Sequence, residues 1–194
     1  MKTIVGLTGP TGAGKSVVSL VAKEYGINVI DCDIVARKAV EKGTEGLSAV
    51  VDVFGTEILN HDGTLNRKAL AKAAFCDTEH TNLLNKTLLP HIVKMIMGMI
   101  TTDKTLLDAP TLFESGIDNI CDKTIAVLAD KNLRLERIIE RDKIEREEAL
   151  LRLNAGKGDE FYIKKADFVV YNNADIEKVK SEIRTILSNI FERN

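Results

Sequence analysis

The sequence predicts an α/β protein in which five parallel strands form a sheet with helices on both faces. Three observations carry that reading. Short apolar, β-branched segments alternate with stretches of helical periodicity, the order expected of βαβ units. Residues Gly9 to Ser16 read Gly-Pro-Thr-Gly-Ala-Gly-Lys-Ser, a complete G-x-x-x-x-G-K-S segment, between the first strand and the first helix. Aspartates stand where the second and third strands finish, at the carboxyl edge where such sheets bind ligands.

Thr3 to Thr8 is apolar and short, as a buried parallel strand should be. The helix that follows runs from Val17 to Tyr25, with Val18, Val21, Ala22 and Tyr25 on one face and Gly26 as its stop. A second strand, Asn28 to Asp31, leads into a helix from Ile34 to Val40. Residues 43–100 are mostly helical by pattern. Leu47, Val50, Val51 and Phe54 form one stripe, and Leu70, Ala73, Ala74 and Phe75 begin another. Asn60-His61-Asp62-Gly63 is a turn between them. Strands three to five are Thr105–Asp108, Thr124–Leu128 and Phe168–Tyr171. The closing helix, Ile176 to Phe191, turns Val179, Ile183, Ile186, Leu187 and Ile190 to one side. The stretch 43–100 is too long for a minimal crossover and reads as an insertion that builds a substrate pocket. Residues 1–42 and 101–194 then form the nucleotide-binding core, with a lid at about 134–165.

A glycine-rich loop between a strand and a helix wraps backbone N–H groups around phosphate oxygens, and the helix N-terminus adds its positive end. The segment Gly9, Pro10, Thr11, Gly12, Ala13, Gly14, Lys15, Ser16 and Val17 is therefore the predicted nucleotide site of a P-loop-type sandwich. Lys15 would reach the β- and γ-phosphates, and the Ser16 hydroxyl would ligate Mg²⁺. Asp108 ends a hydrophobic strand and would hold the same Mg²⁺ through water. Asp33, just past the second strand, is the candidate base for a hydroxyl acceptor; capping the next helix is its other natural role. In the loop after Asp108, Pro110 adds rigidity, Phe113 is placed to wall a pocket, and Glu114 is placed to cap a helix or hold a basic partner.

Arg134, Arg137 and Arg141 share one helix face in a charge-dense stretch. Either they pair with the acids around them, Glu136, Glu140, Asp142, Glu145, Glu147 and Glu148, or they belong to a lid that neutralises a moving phosphoryl group. The phosphate loop favours the second role for Arg137 and Arg141. Gly156-Lys157-Gly158-Asp159 would be a hinge or turn within that lid.

Composition narrows the class. Charged residues make up 29% and hydrophobic ones 44%, and the formal net charge is −2. That balance argues against a general nucleic-acid binder. The most apolar long stretch, Leu83 to Ile100, is interrupted by Asn85, Lys86, Pro90, His91 and Lys94, and reads as a core helix rather than a membrane span. Met1-Lys2-Thr3 runs straight into the first strand, so no signal peptide is expected. Cys32, Cys76 and Cys121 are scattered and odd in number, which suits a cytoplasmic protein and makes no case for zinc.

At this point the residues resemble one family, the dephospho-CoA kinases, along nearly the whole chain. The resemblance rests on Val29-Ile30-Asp31-Cys32-Asp33 with Ala36-Arg37, on Phe54-Gly55, and on Asp62 to Arg67. It continues through Leu107 to Gly116, Arg137, Arg141 and Ala166 to Asn172. It implies ATP-dependent phosphorylation of the ribose 3′-hydroxyl of dephospho-CoA, on a five-stranded parallel core with a helical acceptor domain and a lid. Asp33 would be the base and Arg141 the lid cation. Arg37, Arg67, Phe75, Pro110, Leu112 and Phe113 would meet the acceptor, and Asn172 would approach the adenine of ATP beside Arg137.

The chain departs from the family pattern at Pro90-His91, where the order is usually reversed, and at Gly156, Tyr162 and Asn172-Asn173-Ala174. These differences gather in the lid and the acceptor region and bear on turnover and acceptor affinity. A kinase for another small acceptor, such as a nucleoside monophosphate or sugar acid, and a nucleotide-binding regulator with little turnover stand as alternatives. The order of Leu128-Ala129-Asp130-Lys131-Asn132 does not match the base-reading segment of GTP switches. Oligomeric state is left open.

Overall fold

A computed structural model of the chain describes residues 2–173 and 175–192. Its sheet contains β1 (Thr3–Thr8), β2 (Asn28–Asp31), β3 (Lys104–Asp108), β4 (Lys123–Leu128) and β5 (Phe168–Tyr171). The spatial order is β2-β3-β1-β4-β5, and every neighbouring pair is parallel. Parallel strands need crossovers, and the helices that make them cover both faces. In the register, Leu7 lies opposite Asp108, and Asp108 opposite Asp31. Two aspartates are thus side by side at the carboxyl edge.

The helices are α1 (Ser16–Glu24), α2 (Cys32–Ala39), α3 (Glu45–Phe54), α4 (Arg67–Ala74), α5 (Thr78–Met99), α6 (Leu112–Ser115), α7 (Lys131–Asp142), α8 (Arg146–Ala155), α9 (Asp159–Lys165) and α10 (Ile176–Phe191). Strand alternation divides the core into two layers. Val5, Leu7 and Leu106 face α1 and α10, packing on Val18, Val21, Ile183 and Leu187. Leu107 and Leu128 face the other way, onto Ile92 and Ile96 of α5, Leu112 of α6 and Tyr162 of α9. A third cluster joins Leu47 and Val50 of α3 to Leu70 and Ala74 of α4 and Leu84 of α5. Helix α5 therefore begins in the insertion and ends on the sheet, tying the two together through one rigid element. Leu135 and Ile138 of α7 meet Ala149 and Leu153 of α8 in a small separate core.

The strand positions and α10 agree with the pattern read from the sequence. The differences lie at caps. Helix α2 begins at Cys32, two residues before the expected Ile34, because the Asp31 side chain accepts from the Ile34 N–H at 3.0 Å. Tyr25 caps α1 and is exposed; it does not extend the buried face of Val18, Val21 and Ala22. Glu114 sits inside α6 and caps nothing. Cys76, Asp77 and His80 converge on the surface at the start of α5, where Asp77 accepts from the His80 N–H and contacts its ring. Ala174, part of the departure noted after Asn172, is outside the described residues.

Candidate active site

The phosphate loop leaves β1 at Thr8 and enters α1 at Ser16. No side chain caps the start of α1, and no acid stands in its first turn. Its N–H groups and positive end thus face the loop, the arrangement that binds an anion. The loop is also tightly backed. A Cβ on Gly12 (φ 78°) would come within 2.6 Å of the Arg134 carbonyl oxygen. One on Gly14 (φ 91°) would collide with the Asn172 amide. Only glycine satisfies both the backbone angle and the close approach.

Three side chains hold the outer carbonyls of this loop. Asn172, 4% exposed, donates its amide to the Ala13 carbonyl at 2.9 Å. Arg137 donates to the Gly12 and Ala13 carbonyls at 3.4 and 3.3 Å, and to the Asn172 carbonyl at 3.0 Å. Arg134, 6% exposed, donates from Nε to the Thr11 carbonyl at 3.0 Å and pairs with Asp159 at 3.3 Å. Ala13 donates its N–H to the Pro10 carbonyl at 3.1 Å, closing the loop into a turn. A cleft of about 520 Å³ opens beside the loop, lined by Gly9, Thr11, Gly14, Lys15, Ser16 and Asp108, with Arg137 and Arg141 contributed by α7.

Asp108 is fixed from α1: the Ser19 hydroxyl donates to its Oδ2 at 2.8 Å. The Ser16 hydroxyl and the Asp108 carboxylate are hard oxygen donors on one cleft wall, and that donor set fits Mg²⁺. Arg141 is extended on the surface, its guanidinium engaged by both oxygens of Asp142 at 2.7 and 3.0 Å. Asp142 also receives Arg152 at 2.7 Å; Arg141 first, and Arg152 with it, holds the Asp142 carboxyl below the usual range.

Asp33 occupies the first turn of α2, and the capping role that the sequence offered to Asp33 is performed by Asp31 instead. Burial raises the Asp33 carboxyl above its ordinary pKa, and Asp31 and Asp108 add to the rise. Lys15 and Arg37 act against it. A carboxylate with raised proton affinity, within electrostatic reach of the phosphate-loop lysine, is suited to take a hydroxyl proton. Cys32 beside it is inert: burial pushes its thiol up to about 12.

On the far side of Asp33 lies a cavity of about 420 Å³. Arg37, Arg67 and Phe75 line it together with the apolar Val40, Leu70 and Leu88. Two guanidinium groups and an apolar wall suit a long acceptor that is anionic in one part and greasy in another.

Comparison with known proteins decides the family. The dephospho-CoA kinase family model matches residues 3–178. The dephospho-CoA kinase of Listeria monocytogenes is 39% identical over 193 residues, covering 96% of each chain. The chain belongs to the dephospho-CoA kinase family. Among solved structures, a protein of Thermus thermophilus superposes with a TM-score of 0.79 at 28% identity, over 97% of this chain and 98% of its own. The dephospho-CoA kinase of Campylobacter jejuni gives 0.56 at 25% identity, over 98% of both chains.

Within the fold of this kinase family, most of the residues singled out by sequence converge, and several change place. Asp33, Arg37, Arg67 and Phe75 share one cavity. Leu112 does not join them. It is fully buried against β1 because Gly6 leaves room for it, so it is a core residue. Pro110 lines the nucleotide cleft rather than the acceptor cavity, since the β3–α6 turn carries it past the phosphate loop. Phe113 walls a different cavity, with Glu114, Phe161 and Lys165. Ala13 and Val17 contribute backbone to the loop while their side chains pack into the core beneath it. Asn172 spends its amide on the loop itself.

Of the three arginines, Arg134 and Arg137 reach inward to carbonyls, and only Arg141 pairs with one of the expected acids. Asn85 and Phe161 were not picked out as site residues by the sequence, and Lys165 only as a lysine close to the family position that Tyr162 takes. The one available signal was an aromatic pair, Phe161-Tyr162, inside an otherwise charged segment.

Proposed function

We propose that the protein transfers the γ-phosphoryl group of ATP to the ribose 3′-hydroxyl of dephospho-CoA, giving coenzyme A and ADP, with Asp33 as the general base. Membership of the dephospho-CoA kinase family supplies the reaction. The observation that carries the residue assignment is the position of Asp33. It stands between the phosphate-loop lysine and the Arg37–Arg67 cavity, with its capping duty taken over by Asp31.

The 3′-hydroxyl oxygen forms a bond to the γ-phosphorus while its proton passes to the Asp33 carboxylate. The bond from that phosphorus to the β–γ bridging oxygen breaks, and the electron pair leaves with ADP. The loop N–H groups and Lys15 hold the phosphates, and Arg137 lies at the lid side of the same cleft. Arg141 releases Asp142 and turns to the phosphoryl group as charge spreads over it, stabilising the transition state more than the ground state. Mg²⁺, when bound with ATP, neutralises phosphate charge; Ser16 and, through water, Asp108 would hold it.

Arg37, Arg67 and Phe75 receive the acceptor. The three cysteines are free thiols, which suits a reducing cytoplasm. Among the described residues no helix is long and apolar enough to cross a membrane. The expected partners are ATP and dephospho-CoA, with neither nucleic acid nor membrane among them.

The test is ADP release with Mg²⁺-ATP and dephospho-CoA, beside a no-acceptor control and a panel of CMP, AMP, shikimate and gluconate. Release that depends on dephospho-CoA alone is expected. Release driven by another acceptor, or none above the control, would overturn the assignment.

A further inference from the structure

Among the described residues, two buried side-chain polar atoms have no hydrogen-bond partner: Thr105 Oγ1 and Glu114 Oε2. Thr105 lies within β3, inside the sheet. Glu114 is different, because it borders open space. It lines a cavity of about 570 Å³ between α5, α6 and α9, together with Phe75, Asn85, Phe113, Phe161 and Lys165. A buried carboxylate oxygen without a donor is unfavourable in the free protein, and such a group calls for an explanation.

The surroundings define what would satisfy it. Phe113 and Phe161 meet edge to face at 6.0 Å, and the Lys165 ammonium sits 5.3 and 5.0 Å from their ring centroids. The rings are thus held in place beside the carboxylate. Asn85 donates its amide to the Glu114 backbone carbonyl at 3.3 Å and lines the same cavity. A flat apolar ring with an N–H donor at its edge matches aromatic walls and an unpaired carboxylate oxygen.

The cavity is also contiguous with the reaction site. It shares Phe75 with the Arg37–Arg67 cavity and Asn85 with a smaller one of about 140 Å³, and Asp33 lines both of those. An occupant whose hydroxyl lies at Asp33 therefore has this space next to it.

We propose that this cavity is the adenine subsite of the acceptor, and that Glu114 determines base specificity by accepting a hydrogen bond from the exocyclic amino group. The inference rests on the acceptor reading given above and deepens it. The adenine amino group supplies the missing donor to Oε2. A base carrying a carbonyl oxygen at that position places two acceptors against each other. A site built to pair with an N–H group rejects the analogue lacking it far more strongly than it rejects a change in size.

The experiment measures kcat and KM for dephospho-CoA and for its analogue with hypoxanthine in place of adenine, in the wild type and in Glu114→Gln. Glutamine keeps the shape and offers a donor as well as an acceptor. The wild type should prefer adenine by about tenfold or more in kcat/KM. Glu114→Gln should reduce that preference to about threefold or less, chiefly through KM, with kcat on dephospho-CoA within about threefold. A wild type that does not distinguish the bases would overturn the proposal without recourse to any variant. So would a Glu114→Gln protein that keeps the preference, or that loses kcat equally with both acceptors. If the acceptor's diphosphate lay here instead, Glu114→Gln would tighten both acceptors alike, which also refutes it. No turnover of dephospho-CoA by the wild type sinks the acceptor assignment itself; turnover without base preference sinks only the subsite.

Discussion

The two sides of Asp33 are built in opposite ways. On the predicted nucleotide side the cradle is built of backbone, and polar side chains around it hold that backbone from outside. Arg134, Arg137 and Asn172 spend their donors on loop carbonyls. On the acceptor side, the predicted contacts are side chains with little polar support. Phe75 is 64% exposed, and Arg37 and Arg67 line a cavity with apolar neighbours. Phosphate is the same ligand in every nucleotide, so a rigid backbone cradle serves it. An acceptor is recognised by what distinguishes it, and that requires side chains placed by several separate helices.

Substitutions can break or sharpen this contrast. The largest effect belongs to the residue between the two sides. Asp33→Asn should lower kcat by roughly 10²–10⁴, the scale of a lost general base, while titration with ADP or ATP shows nucleotide affinity nearly intact. Turnover within a few-fold of wild type would remove Asp33 from the role.

Leu112→Ala should destabilise the fold by about 2–5 kcal/mol in chemical denaturation, as a fully buried leucine does, with the acceptor KM of the folded fraction unchanged. A raised KM at unaltered stability would return Leu112 to the pocket wall.

Lys15→Ala should lower kcat/KM by about 10²–10³ and weaken ADP binding as well, since its charge acts on the nucleotide itself. Loss of turnover with intact binding would place Lys15 elsewhere.

Arg37→Gln should act on one side only, raising the acceptor KM by about tenfold, equivalent to about 1.4 kcal/mol, with ATP affinity unmoved. Equal changes in both affinities would show that the two sides are not independent.

The smallest effect is in pH. Protonated Asp33 cannot act as base, so kcat/KM should fall as pH drops through its raised pKa. Asp31 contributes to that rise. Asp31→Asn keeps the helix cap, because asparagine caps as well as aspartate. It removes the neighbouring charge, so the acid limb should move to lower pH. A limb that stays in place, or moves up, would contradict the electrostatic account.

How far the sequence could be read follows the same division. The phosphate loop was legible because its predicted ligand contacts are consecutive in the chain and its glycines meet a local need for positive φ; that Gly12 and Gly14 also make room for Arg134 and Asn172 was not legible. Asp33 and Asp108 were legible because parallel strands end at one edge. That Asp31 rather than Asp33 caps α2 was not legible, since both residue types cap well and the helix start is fixed only by the backbone that leaves β2. Pro110, Leu112 and Phe113, close together in the sequence, diverge to the nucleotide cleft, the core and a third cavity. A turn followed by a four-residue helix rotates successive side chains in different directions, and no periodicity reveals where each will point.

By itself, the sequence determined the strand order along the chain, the phosphate loop, the carboxylates at the strand ends and the family. These depend on local patterns: period two in strands, glycine where φ must be positive, hydrophobic strands ending in aspartate. Only the tertiary structure decided that Arg134 is buried against Thr11 and Asp159, that Asn172 backs the loop, and that Glu114 is left with an oxygen unpaired. Those facts belong to contacts across long stretches of chain, where packing, not propensity, chooses the partner.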